Sequence, residues 1–372
     1  MDEPGRNSTH TGVNIPAPHT AYGGARTGAN MSAPRGMRAD AYAYNRTGLD
    51  PGQLHKRTVR QENMLIFILL IGFYSISGAV SAIPSFVALF HEITIDTPYI
   101  IVDPDALTVR IREMSLKWVG LLSIVGMAAS IPLFFVLRQK RLLTTDLTEK
   151  RSPMKAGAFV QIFVIAMGAQ FVFIAISAAI EALLNLLDLS AFPTYMESTS
   201  VLHTPVGLLY ATLLGPIMEE IIFRGAIMKH LERFGANYAI VMSSVFFGLY
   251  HIFLYQSAFA FLVGVLLGYT AHRYAIRWSM LLHILINSVA LGLDILAGES
   301  VTGWIMFAIF PVSVFLLWKN RDAFKAQLRF GKPAMPKTFR HAFSGISVIT
   351  MFGLFLLMNV FLMTSGMYGL QG

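Results

Sequence analysis

The 372-residue chain contains no cysteine. Disulfides, thiolate metal sites and a cysteine nucleophile are thereby excluded, and the redox state of its compartment leaves no trace. Charge is scarce as well. Only 13% of residues are Asp, Glu, Lys or Arg, about half the share of an ordinary soluble protein, while 55% are hydrophobic. Several apolar runs reach the ~20 residues that a helix needs to cross a bilayer. The composition predicts an all-α, polytopic membrane helix bundle with about eight or nine transmembrane helices. The net charge of +8 invites a nucleic-acid partner, but Lys and Arg gather in loops between apolar runs, as membrane proteins place them. The expected partner is the lipid bilayer, with no nucleic acid.

Residues 1–54 are rich in Gly, Ala, Thr, Asn and Pro and show no periodicity, which predicts a disordered cytoplasmic tail. A cleavable signal peptide is not expected, because the first apolar run begins near residue 63 and is too long for one. Windowed hydropathy predicts nine spans, at 63–90, 118–137, 157–187, 204–227, 238–255, 257–273, 279–297, 303–318 and 343–364. They group as two amino-terminal spans with an outside loop (55–156), a helix core (157–297) and two carboxyl-terminal spans joined by a basic loop (298–372). Alternate loops are basic: HKRTVR, RQKR with EKRSPMK, KHLER, HRYAIR and the stretch from Lys319 to Arg340. The other loops hold only Arg110, Arg112 and Lys117. The positive-inside rule then predicts a multi-pass cell-membrane protein, amino terminus cytoplasmic and carboxyl terminus outside. The loop from His91 to Lys117, punctuated by Pro and Asp, reads as turns.

Against so little charge, the stretch GPIMEEIIFRG (215–225) is unusual, placing Glu219, Glu220 and Arg224 inside the fourth apolar run. An ionised side chain at that depth costs about 2.5–3.5 kcal/mol on insertion scales. Pro216 predicts a kink that makes the following acids part of a fresh first turn. Glu220 and Arg224, at i and i+4, can pair on one helix face. Glu219 is rotated about 100° away and has no local partner. The next run ends in FFGLYH, with His251 four residues after Phe247, and the seventh contains HILIN, with His283 and Asn287 at i and i+4. Polar residues at such depth normally face one another or a water-filled cavity. A carboxylate, two imidazoles and a carboxamide suit hydrolysis, by proton abstraction, proton transfer or metal binding, and oxyanion donation. They also suit a proton or ion pathway, or a structural core.

The ordered motifs EExxxR, FxxxH and HxxxN resemble the signature of the CPBP family, intramembrane proteases related to type II CAAX prenyl endopeptidases and to bacteriocin-processing and immunity proteins. The resemblance covers roughly residues 160–297. It implies an intramembrane endopeptidase acting on membrane-associated or lipidated peptides and proteins, with a bacterial cytoplasmic membrane favoured. It implies Glu219 as general base for water, His251 assisting, and His283 and Asn287 positioning the water or stabilising the oxyanion. Glu220 and Arg224 would hold the site's geometry. The family is often labelled metalloprotease, and Glu219, His251 and His283 could supply three zinc ligands. The soluble zincin pattern HExxH is absent, and a metal-free glutamate mechanism is the expectation, with zinc as its alternative. An immunity or binding scaffold of the same fold and a proton-coupled transporter are the rival functions. Glu181, Asp294 and His272 are polar residues in or near spans and are not expected to be catalytic.

Overall fold

The structure, a computed structural model, describes residues 50–95, 104–187, 189–190, 204–323 and 335–369. Its helices are α1 (Pro51–Ser81), α2 (Ile83–Ile95), α3 (Pro104–Arg138), α4 (Ala156–Asn185), α5 (Pro205–Phe234), α6 (Ala236–Tyr250), α7 (Leu254–Arg273), α8 (Ile276–Ala297), α9 (Glu299–Lys319), α10 (Met335–Phe343) and α11 (Ile346–Gly369). Among the described residues there is no strand. The tail expected to be disordered lies outside the described residues up to residue 49, and from Pro51 the chain is already helical. Contacts divide the chain after Gly52, and the helix bundle is the unit from Gln53 onward.

Among the described residues seven segments are long and apolar enough to cross a membrane, or eight where the bent pair Lys337–Phe343 and Ile346–Phe361 counts as one span. The protein is a multi-pass membrane helix bundle. The fifth expected span is different: α6 has 15 residues, about 22 Å of helix, short of the ~30 Å hydrocarbon core. It is wrapped by other helices on most sides, so its length need not match the bilayer. The loop expected at 91–117 is also shorter than the sequence suggests. α2 runs to Ile95 and α3 starts at Pro104, where a proline's fixed φ and missing N–H suit a first helical position.

Packing is close where small residues meet. On α4, a Cβ at Gly168 would overlap Ser313 Oγ of α9, so only glycine admits the contact these two helices make. Ser313 Oγ itself donates to Val164 O at 2.8 Å. The basic loops meet at one end of the bundle in a polar network. Lys229 pairs with Glu149, Arg151 bonds both Glu149 and Glu232, and His272 lies 2.9 Å from Glu232. Glu62 joins His230 and Arg233 beside it. Burial pushes the Glu149 carboxyl up, but hydrogen bonds from Lys229 and Arg151 outweigh this and hold it below its ordinary value. Burial likewise disfavours charge on Arg151, yet Glu232 and Glu149 raise its value overall.

Candidate active site

The site is built on α5. Thr204 caps the helix by accepting Gly207 N–H at 3.0 Å, and Pro205 fills the first turn. The helix then widens: Gly215 N–H bonds Tyr210 O, five residues back. A Cβ on Gly215 would stand 2.8 Å from that same carbonyl, so the wide turn calls for glycine. In this register Ala211 O would receive residue 216, but Pro216 has no N–H to give. Asn287 of α8 fills the gap, donating Nδ2–H to Ala211 O at 3.0 Å. Widened turns of this kind recur at functional sites. A second one spans Ile221–Met228, so Glu219 and Glu220 sit on a short regular stretch between two wide ones. The fourth span runs on to Phe234 rather than ending near 227, which places Glu219 at mid-helix.

Adjacent glutamates meet opposite surroundings. Glu220 is fully buried. Its carboxylate lies 3.0 Å from Arg224 Nη1, 3.2 Å from His283 Nδ1 and accepts the Ser279 hydroxyl. Arg224 is fully buried too, donates Nη2–H to Gly264 O at 3.1 Å, and stacks its guanidinium 4.4 Å from the Phe247 ring centre. Its Nη1 touches Glu220 without aiming a hydrogen at it, so that contact is Coulombic rather than a directed bond. Glu219 receives no hydrogen bond from any described residue; its ion-pair contact among them is His283 Nε2, 3.7 Å from Oε2. His283 therefore stands between the two acids. Because Glu220 can only accept, Nδ1 of His283 carries a proton and Nε2 faces Glu219.

His251 enters from the end of α6. Its Nδ1 lies 2.8 Å from Phe247 O, and a carbonyl can only accept, so Nδ1 is the protonated nitrogen and Nε2 of the neutral ring presents a lone pair. Antiparallel α7 comes at once, after a reversal at 251–253. Phe247 is the common wall: its ring meets Arg224, the edge of His251 at 4.7 Å and the edge of His283 at 5.7 Å. Sequence reasoning used Phe247 only as a spacing marker and passed over Ser279. The signal was there in the stripe Ser279, His283 and Asn287, at steps of four on α8.

Glu219, Glu220, Arg224, His283 and Ser279 form one cluster; His251 packs on the Phe247 ring that His283 also meets, and Asn287 commits one of its two amide hydrogens to Ala211 O. Among the described residues no three His, Asp or Glu side chains converge to hold a metal ion. Glu181 is elsewhere, bound by the hydroxyls of Tyr255 and Ser190, and His272 belongs to the polar network at the basic end of the bundle.

No curated protein and no solved structure matches the chain. The family model for type II CAAX prenyl endopeptidase, Rce1-like, matches residues 201–289, a stretch that includes both glutamates, Arg224, both histidines and Asn287. Over that stretch the chain is similar to a type II CAAX prenyl endopeptidase, Rce1-like, domain.

Proposed function

We propose that the protein is an intramembrane endopeptidase in which Glu219 activates water for attack on a peptide bond. The observation that carries this reading is the contrast between the two acids: Glu220 is saturated with partners, whereas Glu219 keeps its lone pairs and faces an imidazole. Glu219 takes one proton from water as the oxygen adds to the scissile carbonyl carbon. The resulting oxyanion draws on the second amide hydrogen of Asn287, the first being held by Ala211 O. As the C–N bond breaks, the proton on Glu219 passes to the leaving amine. His251 offers its Nε2 lone pair to orient the water, and His283 couples Glu219 to the Glu220–Arg224 pair. No step is routed through a metal.

The substrate is a membrane-associated or lipidated peptide, because a base at mid-span is reached from within the bilayer. The reading places the amino terminus inside and the carboxyl terminus outside, and the gathering of basic loops at one end of the bundle supports it. The test compares wild type with Glu219→Gln, both purified in detergent, on lipidated and transmembrane peptides, with products read by mass spectrometry. Wild type should yield new peptide ends and Glu219→Gln none, with or without chelator. Cleavage by Glu219→Gln at the wild-type rate would sink the mechanism, and loss of wild-type cleavage on chelation would show that a metal is needed.

A further inference from the structure

The reversal that carries His251 is held from outside the Rce1-like stretch. Ile252 takes φ +56°, a left-handed conformation that strains a β-branched residue and persists only where its surroundings over-determine it. A break in helix at this depth also strips backbone groups of partners that lipid cannot replace. Two side chains meet that need. Asn359 of α11, 6% exposed, donates Nδ2–H to Ile252 O at 2.7 Å and to Phe355 O at 2.8 Å. Its Oδ1 accepts Leu254 N–H at 2.8 Å. Turned over, the carboxamide would set N–H against N–H and oxygen against oxygen, so its orientation is fixed. On the other side of the turn, Tyr74 of α1 donates its hydroxyl to Tyr250 O, the carbonyl just before His251.

Tyr74 and Asn359 come from the first and last spans, and neither lies within residues 201–289. We infer that Asn359, seconded by Tyr74, is a positioning residue that fixes the strained turn and thereby the placement of His251. The inference rests on the endopeptidase reading for its effect on rate, but not for its effect on structure. The accessory spans thus complete the site by gripping its least regular backbone segment.

The test uses the full chain in detergent, with Asn359→Leu, which keeps similar bulk and removes all three hydrogen bonds, and Tyr74→Phe, which removes one. In Asn359→Leu, backbone hydrogen exchange of residues 251–256 should speed up on the order of tenfold while exchange in α5 and α8 stays as in wild type. Tyr74→Phe should show a smaller change in the same segment. On a cleaved peptide, Asn359→Leu should lower kcat on the order of ten- to a hundredfold with KM little changed. In a His251→Ala background the same substitution should change kcat by less than about twofold, because a residue that acts through His251 has nothing left to place. Unchanged exchange at 251–256 would overturn the inference. So would an equal kcat loss in both backgrounds, which would mean general loosening. If wild type cleaves nothing, the endopeptidase reading falls, and the exchange measurement still decides whether Asn359 holds the turn.

Discussion

Replacing Arg224 by Met tests the account of the two glutamates where it is most exposed to error. Both members of the Glu220–Arg224 pair are fully buried, and breaking such a pair by removing one partner typically costs about 3–5 kcal/mol. Two local features pull toward the lower end. Glu220 keeps two other partners, Ser279 and His283, and Arg224 leaves Nε and Nη1 without directed hydrogen bonds, a cost that disappears with the guanidinium. We expect Arg224→Met to lose about 3 kcal/mol of stability. Glu220→Gln should lose a comparable amount, because it strands the buried guanidinium. The double variant Glu220→Gln/Arg224→Met removes both charges and should lose less than about 2 kcal/mol, far short of the sum. Equilibrium unfolding in mixed micelles measures all three. A double variant as unstable as the two singles added together would refute the reasoning, as would an Arg224→Met loss below about 1 kcal/mol.

Gly168→Ala should destabilise the α4–α9 contact, and a second change, Ser313→Gly, should restore it by clearing the overlapping side chain; failure of that rescue would show that the helices do not meet there. Glu149, whose value is held below that of the unfolded chain, contributes stability that is present above about pH 4.3 and is lost as pH falls through its lower folded value. Glu149→Gln should therefore be less stable than wild type at neutral pH, with the gap closing in acid; a gap independent of pH would count against the ion pairs.

Much of the bundle comes from simple patterns. Long apolar runs locate the spans because lipid leaves helix as the available solution. The approach of Glu220 to Arg224 is set by their i, i+4 spacing, and a 100° step turns Glu219 elsewhere. Hydropathy could not show that α6 stops short, since an apolar segment sheltered by protein looks like one bathed in lipid. Nor could it show Asn287 occupied by Ala211 O, because that need arises from a widened turn meeting Pro216, a coincidence of register. Phe247 as a shared wall and Asn359 as a clamp depend on tertiary contacts across the chain, which no local spacing encodes.

The sheltering of α6 has a consequence for how the protein should respond to its membrane. Lipid-exposed helices tilt, and the bilayer thins or thickens around them, when hydrophobic lengths disagree, at fractions of a kcal/mol per ångström. α6 presents little surface to acyl chains, so such mismatch reaches His251 only by way of neighbouring helices. Changing acyl-chain length would then act mainly on α1, α9 and α11, whose apolar side chains face outward. Thickness would therefore reach His251 through the grip that Tyr74 of α1 and Asn359 of α11 have on its turn.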